Sequence, residues 1–154
     1  MTYQERTQTV TMKGICILLL CFGMAAARNC YGNHNGLTET DVILLVMNDL
    51  DKDESQQVTE TEFIHEFITN YDQDRNGRVE EHEFIHEWHS RYHDDKEFPR
   101  LLFHVLRVTS NQYLVIENVP AMMAKFDING DQRLSYGEVH EILMKLYRTC
   151  IQEP

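Results

Sequence analysis

Proline, glycine and tryptophan are scarce in this chain, at 3, 7 and 1 among 154 residues. So few breakers exclude a collagen-like repeat or a low-complexity linker and leave room for helices. Positive charge is also in short supply, with 14 Lys+Arg against 25 Asp+Glu and a formal net charge of −11. That balance excludes the basic footprint of a nucleic-acid binder, disfavours anionic membrane surfaces and favours cations as partners. Only residues 14–27 form a long apolar stretch. It falls short of the ~20 residues needed to cross a bilayer, so no membrane span is expected. Catalytic signatures are missing too: there is no Gly-x-Ser-x-Gly elbow, P-loop, His-Glu-x-x-His zinc motif or Cys/His nucleophile arrangement. No enzymatic activity is expected. What remains, 42% apolar and 25% charged residues, is the composition of one folded domain.

The apolar stretch has the layout of a secretory signal peptide. Arg6 and Lys13 supply a basic head, residues 15–22 an apolar core, and Ala25, Ala26 and Ala27 a small-residue cleavage site before Arg28. Residues 1–27 are therefore read as a signal and 28–154 as one secreted, extracellular domain. A start at Met12 would keep the same layout. A buried core helix is the alternative, and the lack of an amphipathic stripe argues against it. Two of the 4 cysteines leave with the signal, and Cys30 and Cys150 remain, one near each end. In an oxidising compartment they are either a disulfide, nominally about 4–5 kcal/mol in the chain-entropy model, or two free or intermolecular thiols.

The chain repeats itself. Glu62-Phe63-Ile64-His65-Glu66-Phe67 returns as Glu83-Phe84-Ile85-His86-Glu87-Trp88. Asp51, Asp53 and Ser55 precede the first copy, and Asp72, Asp74 and Asn76 precede the second. A third cluster, Asp127, Asn129 and Asp131, precedes Glu138. Each forms a segment, 51–62, 72–83 or 127–138, with oxygen side chains at positions one, three and five and a glutamate at position twelve. Position eight is aliphatic in each (Val58, Val79, Leu134).

Calcium explains this spacing, because it takes six to eight hard oxygen ligands at about 2.3–2.6 Å. Short acids at alternate positions of a tight loop turn inward together. A carbonyl at position seven adds an oxygen, position nine binds directly or through water, and the longer glutamate closes the shell with two oxygens. The candidate ligands are Asp51, Asp53, Ser55, Gln57 (carbonyl), Thr59 and Glu62 in the first loop. In the second they are Asp72, Asp74, Asn76, Arg78 (carbonyl), Glu80 and Glu83. In the last they are Asp127, Asn129, Asp131, Arg133 (carbonyl), Ser135 and Glu138. These residues resemble the EF-hand superfamily over roughly residues 37–148. The resemblance implies an all-α fold, a compact helix bundle with short β pairings between calcium loops.

The loops differ. Only 72–83 has glycine, Gly77, at the sixth position, where the turn needs a positive φ; Gln56 and Gln132 stand there in the others. A left-handed non-glycine residue costs roughly 1–2 kcal/mol, about tenfold in affinity. Binding is expected at all three loops, tightest at 72–83. Residues 107–118 form a fourth, degenerate loop. It keeps the aliphatic Leu114 but has no carboxylate at a ligand position, with Arg107, Thr109, Asn111, Tyr113, Val115 and Asn118 there. Loops 51 and 72 leave room for one shared helix, Glu60 to about Gln73, and loops 107 and 127 share Glu117 to Phe126. Loops at opposite ends of a rigid helix cannot pair. The spacing therefore predicts about six helices, with Val79 against Leu114 and Val58 against Leu134, rather than calmodulin-like lobes.

Thr38 is a plausible N-cap for a helix carrying Val42, Leu45, Val46 and Leu50 on its apolar face. Met122, Met123 and Met144 are read either as core or as a Met-rich groove for a partner. His82, His86, His89 and His93, spaced along one helical face, are either a solvated stripe or chelators of zinc, copper or nickel. Two functions follow. The first is a secreted calcium-binding protein, holding about three Ca2+, for extracellular storage, buffering or matrix association. The pattern is similar to secreted invertebrate EF-hand proteins, including those of molluscan shell matrix, which implies biomineralisation and contact with calcium mineral. The second is a calcium-dependent interaction module, a sensor that exposes its methionines.

Overall fold

Most of the helices start where a side chain takes up free backbone N–H groups. The computed structural model describes residues 35–108 and 112–149. The proposed signal 1–27, Cys30, Cys150, Thr109 and Asn111 lie outside the described residues. Helix α1, Glu39–Leu50, opens with a reciprocal cap. Thr38 Oγ1 accepts from the Asp41 N–H at 3.2 Å, and the Asp41 carboxylate accepts from the Thr38 N–H at 2.8 Å. Thr59 and Glu62 cap α2, Glu60–Ile64, in the same way, and Ser135 and Glu138 cap α6, Tyr136–Tyr147. At α3, Glu81–Tyr92, the Glu83 carboxylate accepts from the Glu80 N–H. Helices α4, Glu97–Leu106, and α5, Val119–Met123, have no side-chain cap. They carry Pro99 and Pro120 in their first turns, where a proline displaces no hydrogen bond.

Both shared helices depart from the expected continuous α form. The first is α-helical only to Ile64 and widens into a π-helical turn, His65–Thr69, ending at Asn70. That turn buries three consecutive residues, Glu66, Phe67 and Ile68, which the single stripe of an α-helix does not do. The second begins as a 3-10 turn, Ile116–Asn118, continues as α5, and tightens again. Lys125 N–H donates to the Met122 carbonyl and Phe126 N–H to that of Met123, so its last turn is three residues wide.

Two antiparallel ladders join the loops. Strand β1, Gln57–Val58, pairs with β4, Leu134–Ser135, placing Val58 opposite Leu134. Strand β2, Val79–Glu80, pairs with β3, Tyr113–Leu114, placing Val79 opposite Leu114. This is the pairing that the loop spacing predicts. The four aliphatic partners are all buried, so the ladders also contribute to the core.

Helix α1 packs on α6, and α3 on α4. Between them lies a run of ring contacts, Phe63 to Phe67, Phe67 to Tyr71 and Phe84 to Trp88, at 5.0–6.0 Å between centroids. Leu45, expected on the inner face of α1, is 40% exposed; Ile43 and Met47 are buried instead. Met122 and Met123 lie in the core and Met144 packs partly against it, as the core reading of the methionines holds. Among the described residues no helix is long and apolar enough to cross a membrane.

A buried carboxylate ties the last helix to the turn after α3. Asp94 accepts from Trp88 Nε1 at 3.1 Å and from the Tyr147 hydroxyl, while the Phe98 and Tyr147 rings stack 3.6 Å apart. Asp94→Ala removes a charged acceptor from two buried donors, and a loss of about 3 kcal/mol is expected. Urea unfolding followed by Trp88 fluorescence measures it.

Candidate metal-binding loops

Three loops follow one hydrogen-bonding plan, set by the residues at positions one and twelve. In 72–83 the Asp72 carboxylate accepts from the N–H groups of Asn76 (3.0 Å) and Gly77 (2.8 Å). One oxygen of Glu83 accepts from the N–H groups of Gln73 (3.0 Å) and Asp74 (3.4 Å), and the other from that of Glu80 (2.9 Å). In 51–62, Asp51 accepts from Ser55 and Gln56, and Glu62 from Lys52, Asp53 and Thr59. In 127–138, Asp127 accepts from Asp131 and Gln132, and Glu138 from Ile128, Asn129 and Ser135. The glutamate thus spans its loop from entry to exit. It is also the third residue of the next helix, so the capping box and the twelfth loop position are one residue doing both.

This folding draws acids together. A carboxylate oxygen from each of Asp51, Asp53 and Glu62 lies within 4.8 Å of the others, and so does one from each of Asp72, Asp74 and Glu83. Among the described residues these are the two such groups of three. Like charges this close repel, and a divalent cation between them relieves the repulsion. Asp127, Asp131 and Glu138 do not make a third group, because an amide, Asn129, stands at position three. Its Oδ1 still faces the loop, accepting from the Asp131 N–H at 2.8 Å.

The remaining expected ligands are placed unevenly. Ser55 Oγ donates to the Gln57 carbonyl at 2.9 Å, and Asn76 Oδ1 accepts from the Arg78 N–H at 3.0 Å. Asp131 Oδ1 accepts from the Arg133 N–H at 2.9 Å. Thr59 and Ser135 hydroxyls both donate to their glutamate at 2.7 Å. Glu80 differs from the expectation: its carboxylate faces Arg78 Nε at 3.5 Å and His82 Nδ1 at 3.6 Å. The Arg78 guanidinium lies over the Tyr113 ring of the partner strand. Only backbone at Arg78 therefore faces the loop.

Backbone strain distributes differently from the sequence reading. Gln56 and Gln132 do have positive φ, 68° and 65°, beside 86° at Gly77. Position four is left-handed as well, at Glu54 (57°), Arg75 (59°) and Gly130 (79°). Loop 127–138 thus regains at Gly130 what it lacks at Gln132, and loop 51–62 alone has no glycine at either place. Gln56→Gly is expected to stabilise the chain by about 1 kcal/mol, as relief of the left-handed cost exceeds the entropy of a glycine. A urea midpoint shift with unchanged slope checks it.

Titration of these carboxyls follows from their bonds. Burial pushes Glu138 up, but the Ser135 N–H and hydroxyl, with the N–H groups of Asn129 and Ile128, outweigh it and hold Glu138 below its ordinary value. The Ser55 hydroxyl and N–H lower Asp53 in the same direction. A lowered folded-state value means that this stabilisation is present above the ordinary carboxyl range and is lost as pH falls through the folded value. Glu138→Gln is therefore expected to flatten the acid limb of a melting-temperature profile below about pH 4.5.

The degenerate loop 107–118 shows a different solution. Lys125 Nζ donates to the carbonyls of Val105 (2.5 Å) and Arg107 (2.7 Å), at the end of α4. A fixed ammonium thus satisfies helix-terminal carbonyls where an opening carboxylate is lacking. A feature with no sequence signal is a buried ion pair between the repeats. Glu66 and Glu87, equivalent in the two copies, both bind Arg91; Glu66 is buried, and Arg91–Glu87 is 2.6 Å. Desolvation raises the Glu66 carboxyl despite Asn70 and Arg91.

The chain matches no protein-family model, curated protein or solved structure.

Proposed function

We propose that this chain is a calcium-binding protein of the EF-hand type, secreted after loss of residues 1–27. In this reading it stores or buffers calcium outside the cell or associates with a calcium-bearing matrix. The single observation that carries it is the convergence of Asp51, Asp53 and Glu62, and of Asp72, Asp74 and Glu83, each within 4.8 Å. Three acid oxygens with backbone carbonyls at hand suit a hard cation, and calcium is the one whose flexible shell accepts loops of this size. The net charge of −11 supports attraction of cations and adsorption to a cationic mineral face. Loop 51–62, with no glycine at either left-handed position, fits the weak binding, about 10⁻⁴–10⁻³ M, of extracellular modules.

A binding role is preferred to catalysis because the carboxylates at positions one and twelve of the three loops are engaged by backbone N–H groups of their own loop. Met122 and Met123 are buried in this structure, so what separates buffer from sensor is whether calcium exposes them. Calorimetric titration of calcium into the full chain tests the proposal. A stoichiometry of three, with 72–83 tightest, is expected, and no heat contradicts it. A hydrophobic dye whose emission rises on calcium addition would favour the sensor instead.

A further inference from the structure

The expected histidine stripe is cut short. Helix α3 ends at Tyr92, and His93 is left-handed with φ 53°, so it leaves the helical register and lines a second pocket, with His89, rather than the groove of His82 and His86. His82, His86 and His89 remain at i, i+4 and i+7, all exposed. Together with Gln73, Ile85 and Lys96 they line one open groove of about 510 Å³.

The rings are partly oriented. His89 Nδ1 lies 2.5 Å from the Asp94 carbonyl oxygen. A carbonyl only accepts, so the proton sits on Nδ1 and the Nε2 lone pair is free. His82 Nδ1 faces the Glu80 carboxylate at 3.6 Å, which favours the same tautomer. An imidazole held at Nδ1–H by a carbonyl or carboxylate, with Nε2 available, is how metal-ligating histidines are usually positioned. His86 lies between them, one turn from each, with its side chain exposed. The lining is three imidazoles with Gln73, Ile85 and the cationic Lys96, and the Glu80 carboxylate stands only at its edge, beside His82. Hard cations held by charge alone are thereby disfavoured, and ions that bond to imidazole nitrogen are selected.

We propose that His82, His86 and His89 form a second metal site, for a borderline divalent ion such as zinc, copper or nickel, separate from the carboxylate loops. His86 is its central ligand. With His82 it makes the i, i+4 pair, about 6 Å apart along the axis, that one ion bridges. His89, which lines the same groove, supplies its Nε2, and water completes the shell. The three rings do not yet bring their nitrogens together, as no such group converges there. Their exposed side chains close on the ion by rotamer changes that take nanoseconds or less. This inference does not depend on the calcium reading.

Zinc chloride titrated by calorimetry into the calcium-saturated full chain is the test. One zinc per chain is expected, with affinity falling about tenfold or more in His86→Ala and unchanged in His65→Ala. Both variants alter exposed side chains, and circular dichroism confirms that they fold. Zinc binding equal in His86→Ala and the parent chain overturns the site. So does zinc that only displaces calcium one for one, which would place it in the carboxylate loops.

Discussion

Glu83→Gln is expected to lower calcium affinity at loop 72–83 by roughly 10- to 150-fold. The side chain is 3% exposed and serves three backbone donors, Gln73, Asp74 and Glu80, with its two oxygens. Glutamine keeps the shape but has one acceptor oxygen, and its amide meets N–H groups donor to donor. It also removes a charge and one of the two oxygens that would close the shell of a bound calcium ion. Charge-assisted bonds of this kind contribute about 1.5–3 kcal/mol, which sets the expected range. Glu80→Gln is the informative partner, because the Glu80 carboxylate faces Arg78 and His82 rather than the loop centre. It is expected to change affinity less than about threefold. Calorimetry on both variants separates the two glutamates. Equal losses would show that position nine supplies a carboxylate ligand directly.

Withdrawing calcium is expected to lower the melting temperature by about 15 °C or more. Each filled loop stabilises the folded chain by about 2.7 kcal/mol at a calcium concentration one hundred times its dissociation constant. Two loops with converging acids give about 5 kcal/mol, a large share of a small domain's stability. Ladder β1–β4 ties loop 51–62 to loop 127–138, and β2–β3 ties 72–83 to the degenerate loop. Loosening at either pole therefore reaches the core through Val58, Leu134, Val79 and Leu114. Scanning calorimetry in calcium and in chelator measures the difference. Coincident melting curves would mean that the acids tolerate their own repulsion and hold no structural ion.

Much of this arrangement was legible because the loop chemistry is periodic. Donors at one, three, five and twelve read directly as clusters, and the two converging groups are those with aspartate at position three. Loop pairing was legible for a geometric reason: a helix too short to turn back forbids neighbours from pairing, which left Val79 with Leu114 and Val58 with Leu134. The misses were three-dimensional. A π-helical turn leaves no hydrophobic periodicity of its own, so His65–Thr69 passed as ordinary helix. Glu80 has the right residue type at position nine, but Arg78 and His82, its near neighbours in sequence, take its carboxylate. The second left-handed position of each loop goes unseen where Glu54 and Arg75 occupy it, since only Gly130 advertises it. The Glu66–Arg91 pair joins residues 25 apart, a separation no local pattern encodes. Leu45 looked apolar enough for the core, yet the burial stripe of α1 runs through Ile43 and Met47.

A crystal structure of the full chain grown in calcium tests the central claim most directly. Density for an ion about 2.3–2.6 Å from the carboxylates of Asp72, Asp74 and Glu83, with both Glu83 oxygens coordinated, is the predicted result. Those three carboxylates turned out to solvent, with only water between them at saturating calcium, would contradict it.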